Sequence, residues 1–250
     1  MKENLSRYDL IDTFRGLTLF SMVLYHLSRS LAYLWHMDWQ WYRSDWAYLW
    51  QQTICWGFIF ISGFSWNLGS RPLRRGMVVF LAGCIITGIT TLASPDQRIL
   101  FGILTMLGSS MLLTFLLRRP LEKVPPAAGL SVFLLLFLVT RDISLGYLGF
   151  EGLHLMALPD FLYHGYFMTF LGFPQKYFSS ADYFPLFPWY FLYLCGYFSY
   201  LWMIDRPNEK GLPSYFTKGL PLFGFLGRHS LLIYMIHQPI IFFVLFFIFR

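Results

Sequence analysis

Seven long apolar runs divide this chain, at about 11–34, 48–68, 75–93, 99–117, 127–143, 186–204 and 229–249. Each approaches the roughly 20 residues a helix needs to cross a bilayer, which leaves few folds open. Of the 250 residues, 56% are hydrophobic and only 13% charged, where a soluble domain carries about 25% charged residues. Such a surface exceeds what a soluble interior of this size can hide, whereas lipid can face it directly. The expected fold class is therefore all-α, a polytopic transmembrane helical bundle of about seven spans. The first run is not a signal peptide, because it contains Arg15, is too long for an h-region and lacks a small-residue cleavage site. No internal repeat, low-complexity tract or linker interrupts the pattern, so residues 1–250 read as one domain.

The net charge of +6 follows topology and does not point to nucleic acid. With the N-terminus cytoplasmic, that side collects Lys2 and Arg7, then Arg71, Arg74 and Arg75, then Arg118, Arg119 and Lys123, then Arg206, Lys210, Lys218 and Arg228. The external side holds Arg29, Arg43, Arg98, Arg141, Lys176 and Arg250, spread over longer segments. The asymmetry implies an N-in, C-out, multi-pass protein of the plasma membrane. Residues 144–185 resist the scheme, because a span there would carry the next basic loop outside. Their apolar stretch Phe161–Phe173 is broken by Gly165 and Gly172 and bounded by Pro159 and Pro174, so an external interfacial or re-entrant segment is expected. Cys55, Cys84 and Cys195 sit inside apolar runs as packing residues, with no disulfide or metal spacing.

Ionisable side chains inside spans are expensive and invite a functional hypothesis. The first helix enters through Asp9, Asp12 and Arg15 and goes on to His26 and Arg29. Arg15 and His26 are separated by three helical turns, so they project from nearly one face, on the order of 16 Å apart. Asp12, Thr18, Met22 and Arg29 lie near that stripe, which must face a bundle interior or an aqueous cavity. A plainer reading pairs Asp12 with Arg15 near the headgroups and lets Arg15 snorkel. It does not account for His26, near or just beyond the midplane with no partner close in sequence.

In the last run, Ser230, Tyr234 and His237 share one helical face, either as interhelical hydrogen-bond glue or as part of a site. Ser62, Ser65 and Gly69, like Gly102, Thr105 and Ser109, read as small-residue packing seams. Asn67 is different, because an amide at that depth asks for a partner or ligand. Before the sixth run, Asp182-Tyr-Phe-Pro-Leu-Phe-Pro-Trp189 combines two prolines, expected to fix an extended entry, with belt-forming aromatics and an acid on the external side.

Arg15 and His26 fit the R-x10-H signature of the transmembrane acyltransferase superfamily, which includes the acyltransferase-3 enzymes. Four segments in order resemble the catalytic domain of heparan-α-glucosaminide N-acetyltransferase and its bacterial relatives: Arg7–Gly16, Phe58–Phe64, Asp182–Trp189 and Leu226–Pro239. The resemblance implies transfer of an acetyl or other acyl group from cytoplasmic acyl-CoA to a sugar amine or hydroxyl beyond the membrane. His26 would be the catalytic base and Arg15 would hold a CoA phosphate, with Asn67, Asp182 and His237 as further substrate- or CoA-binding residues. The implied co-substrate is acetyl-CoA, the acceptor is a glycan or amino sugar, and no metal or haem is expected. The animal enzyme is longer and has a folded external domain, so degradation of animal heparan does not carry over.

Two other function classes fit part of the pattern. A transporter or flippase would line its path with the buried Arg and His, although no inverted repeat or matching broken helices accompany them. A haem protein would use His26 and His237 as axial ligands, although no further histidines pair at haem spacing.

Overall fold

A computed structural model describes residues 8–35, 37–205 and 211–249. Of the basic residues that set the expected orientation, Lys2, Arg7, Arg206, Lys210 and Arg250 lie outside the described residues, as does the start of the first family-like segment. In chain order the helices are α1 Asp9–Tyr33, α2 Asp45–Phe64, α3 Pro72–Ala93, α4 Ile103–Leu116, α5 Arg118–Leu121, α6 Pro126–Val139, α7 Gly165–Leu171, α8 Trp189–Ile204, α9 Pro221–Arg228 and α10 Ser230–Ile248. Strands β1 Tyr147–Phe150 and β2 Leu153–Ala157 lie between α6 and α7. The fold is mostly helical, and each of the seven apolar runs contains most of a helix.

Length separates those seven. With 22 and 19 residues, α3 and α10 are long and apolar enough to cross a membrane, and 17% of an apolar 18-residue stretch of each is buried within the protein. A core helix of a soluble protein would be mostly covered. Instead Leu81, Ile85 and Ile89 stand exposed on α3 at i, i+4 and i+8, and Ile240, Phe243 and Phe247 on α10. Helix α1 is 25 residues long but carries Asp9, Asp12, Arg15 and Arg29. Helices α4, α6 and α8 have 14, 14 and 16 residues and rise roughly 21–24 Å, short of the ~30 Å hydrocarbon core. Seven complete spans therefore do not follow from the helices alone.

The chain divides into two compact units, Met1–Ile61 with Asn208–Arg250, and Ser62–Pro207, the boundary falling near the end of α2. In the first unit glycines let α1 and α9 approach backbone to backbone. A Cβ on Gly16 would stand 1.9 Å from the Phe223 carbonyl oxygen, and one on Gly227 1.9 Å from that of Asp12. The Leu220 amide donates to Thr13 Oγ1 at 2.9 Å, fixing the entry to α9. One turn onward Leu19, Met22 and Ile54 form a small core, covered by Trp50, Leu226, Ile233 and Tyr234.

In the second unit α3 and α4 run antiparallel and pack on small residues. Gly76 meets Met111 and Leu112, Gly83 meets Thr105, and Gly108 meets Phe80. Helices α6 and α8 pack through aromatic rings, with Phe133 stacked on Phe191 and Phe198 and Gly129 under Phe198. Residues 140–187 depart from the all-α expectation. Two turn residues at positive φ, Glu151 (48°) and Gly152 (90°), close an antiparallel hairpin pairing Tyr147 with Ala157 and Phe150 with Leu153. Both central residues at positive φ match the twist of a two-residue hairpin. Buried Asp142 accepts the Gly152 amide at 2.9 Å, holding that turn.

The stretch Phe161–Phe173 yields only α7, whose seven residues rise about 10 Å and cannot span. Gly165 and Gly172, both at positive φ, bound it. The Tyr183 hydroxyl donates to the Thr169 carbonyl at 2.6 Å, tying α7 to the segment before α8. Burial raises the Tyr183 phenol above its ordinary range. The expected extended entry to α8 also differs: the Phe187–Pro188 peptide is cis and Pro188 has helical backbone angles.

Candidate functional site

The first unit brings together two residues 211 positions apart (237 − 26) that the sequence singles out separately. The His26 imidazole on α1 and the His237 imidazole on α10 lie with ring centroids 4.9 Å apart and planes at 56°. His237 is 8% exposed and His26 partly buried. The Tyr234 carbonyl, one turn back on α10, engages His237 Nδ1. A carbonyl only accepts, so Nδ1 carries the proton and Nε2 carries the lone pair. That Nε2 is buried and has no hydrogen-bond partner among the described residues. A buried acceptor left open costs stability unless something else uses it.

Polar groups continue on both helices. Four residues after His26, the Ser30 hydroxyl accepts from Gln238 Nε2 at 3.3 Å, and Ser30 is 1% exposed. Gln238 Oε1 is buried without a partner among the described residues. Aromatic rings form a wall on the other flank, where Tyr25 meets His26 edge-on at 6.0 Å and Trp50 at 5.3 Å. The Trp50 indole donates to Ser21 Oγ at 2.7 Å. In the segment between α1 and α2, burial raises the phenol of Tyr42 well above its ordinary range, and its hydrogen bond with Tyr25 adds to the shift.

Arg15 lies three turns from His26 on α1, with Nη1 3.3 Å from Asp12 Oδ1. Their side chains are 19% and 13% exposed. The i,i+3 pair expected from sequence thus forms in a largely shielded setting. The stripe reading also agrees with the burial of Thr18 and Met22.

Asn67 and Asp182 belong to the second unit. The run expected to continue to residue 68 ends its helix at Phe64, so Asn67 lies in the turn before α3. Its Nδ2 is buried and has no hydrogen-bond partner among the described residues. Asp182 Oδ2 accepts the amide of Ile103, the first residue of α4, at 3.4 Å, and lies close over Gly102. A carboxylate there complements the positive end of the helix dipole. Ser180 reinforces the arrangement, accepting the Leu100 amide at 3.0 Å and donating to the Asp182 carbonyl.

Sequence reasoning missed Ser30 and Gln238, since a Ser and a Gln in apolar runs carry no distinctive spacing. Among the described residues no group of three or more His, Cys, Asp or Glu is placed to hold a metal ion.

The family model described as heparan-alpha-glucosaminide N-acetyltransferase, catalytic, matches residues 7–239. Comparison with curated proteins and with solved structures returns no match. The match covers nearly the whole chain, and the protein belongs to this acetyltransferase family.

Proposed function

From that membership we propose that the protein moves an acetyl group, or another acyl group, from cytoplasmic acyl-CoA to a sugar amine or hydroxyl on the external side of the membrane. The observation that carries the reading is the His26–His237 pair, buried between two helices with an open acceptor nitrogen. The acceptor nitrogen or oxygen attacks the thioester carbonyl while His26 takes its proton, matching a group whose ordinary pKa lies near neutrality. The C–S bond then breaks, and the CoA thiolate recovers the proton from the imidazolium. Atoms and charge balance without a metal or redox partner. Arg15 offers a guanidinium for a donor phosphate, held in place by Asp12.

The reading also takes the protein as one multi-pass domain with a cytoplasmic N-terminus and an external C-terminus, spanning about seven times. The apolar exposed faces of α3 and α10 support insertion, and the basic clusters support the orientation. The R-x10-H spacing supports a place in the wider transmembrane acyltransferase superfamily. The test is transfer from labelled acetyl-CoA to an amino-sugar acceptor by protein reconstituted in nanodiscs. His26→Ala is expected to abolish transfer while helical content is kept, and unchanged transfer in that variant overturns the assignment.

A further inference from the structure

Within the first unit, α1 and α10 meet in three successive layers, and the middle one holds a group that the reaction above leaves idle. The first layer is the His26–His237 pair, with ring centroids 4.9 Å apart. In the next, Ser30 Oγ accepts from the Gln238 amide at 3.3 Å. Beyond it the Trp35 ring meets that of Phe242 at 5.8 Å. Residue numbers rise together on both sides, so the two helices run parallel through these contacts. His26 and Ser30 stand at i and i+4 on one face of α1, about 6 Å apart along its axis.

The middle layer is short of hydrogens. Gln238 spends an N–H on Ser30, and its Oε1 is buried without a partner among the described residues. In the neighbouring layer His237 Nε2 is buried and equally open. Pro239, inside α10, brings no amide hydrogen, so the Met235 carbonyl lacks its ordinary helical donor. Ser30 is buried as well, which keeps bulk water from that side of the layer. Buried acceptors without donors are costly, and three on one stretch of helix call for a ligand that carries hydrogens. Hydrogen-bond glue between helices accounts for the Gln238 N–H on Ser30. It does not account for the oxygen left open beside it.

We propose that Gln238 is an acceptor-binding residue, whose Oε1 receives a hydroxyl hydrogen of the sugar that reacts at His26. The proposal rests on the acyltransferase reading and adds a requirement to it: the acceptor carries a further hydroxyl near its reacting group. An amide oxygen accepts hydrogen bonds but takes no proton near neutral pH, so it holds the substrate without entering the bond changes. The step of about 6 Å between layers leaves room for one hydrogen bond at each end of a single sugar ring. Trp35 and Phe242 supply an apolar wall beyond the oxygen, suited to the C–H face of such a ring.

The test follows transfer from labelled acetyl-CoA by the full chain in nanodiscs to two amines: glucosamine, and aminotetrahydropyran, the same ring without hydroxyls. Gln238→Met keeps the length and packing of the side chain but removes its oxygen. It is expected to raise KM for glucosamine about tenfold, leaving kcat and the KM for aminotetrahydropyran unchanged. Gln238→Glu returns an acceptor oxygen and should recover most of the loss. In a wild type that uses glucosamine alone, that recovery takes the place of the comparison. Equal changes for both amines mark a packing role and overturn the assignment, as does no change at all, and neither result touches the acyltransferase reading. A wild type that transfers to neither amine counts against the acyltransferase reading. Binding of glucosamine alone, read by saturation-transfer NMR, then decides: weaker binding in Gln238→Met supports the site, and unchanged or absent binding overturns it.

Discussion

His237 turns its Nδ1 onto the Tyr234 carbonyl and leaves a buried, unpaired Nε2 in a ring 4.9 Å from that of His26. This arrangement gives the second imidazole a fixed tautomer beside the first. Removing either ring is expected to lower kcat by about 100-fold or more, the range general acid–base groups supply. The double variant His26→Ala/His237→Ala should lose little beyond the worse single one, because the rings act together. Multiplicative losses in the double variant would show that the two histidines work separately.

The close crossing of α1 and α9 has a mechanical cost attached to any side chain. Gly16→Ala and Gly227→Ala each place a Cβ 1.9 Å from a backbone oxygen of the facing helix, which cannot yield as a side chain would. Each is expected to destabilise the protein by about 1–3 kcal/mol. Thermal unfolding in a fixed detergent reads the effect. An unshifted midpoint would mean the helices can part freely.

Asp182 is expected to act through α4 and not through the reacting groups. Asp182→Ala should cost about 1 kcal/mol of stability, by analogy with lost helix caps, while Asp182→Asn recovers part of it. Once folded at low temperature, both variants should keep the wild-type kcat. A large kcat loss in Asp182→Asn at unchanged stability would move Asp182 into the substrate site.

Cys84 offers a probe of the membrane face without any mutation, since it is exposed on α3. In intact bilayers a membrane-impermeant maleimide should leave it unlabelled, and labelling should appear after denaturation in detergent. Rapid labelling in the bilayer would place that face of α3 in water.

The helices were legible because a run of apolar residues long enough for lipid leaves the backbone little alternative to a helix. Helix ends were less legible. The run at 99–117 reads as one span, but Asp182, 79 positions beyond Ile103, bonds the amide that starts α4. The hairpin at 147–157 was missed for a similar reason. Its turn is held by Asp142, and Glu151-Gly152 lacks the usual Asn-Gly signal. In the site, the periodicity of α1 put Arg15 and His26 on one face, and α10 put Tyr234 beside His237. That the two histidines meet is a property of tertiary packing, which no local spacing encodes. Asn67, expected as an amide deep in a helix, stands in the turn after it, because the helix ends at Phe64.

The glycines of α1 and α9 also have a kinetic meaning. Two backbones that interlock at Gly16 and Gly227 cannot slide past one another without first separating. Helix α1 is therefore denied a piston stroke along its axis against α9, and Arg15 and His26, one residue before and ten after Gly16, stay at fixed heights relative to that helix. Any step that requires motion must come from side chains turning in place or from a neighbour tilting, so turnover in this unit should depend on rotamer exchange more than on helix travel.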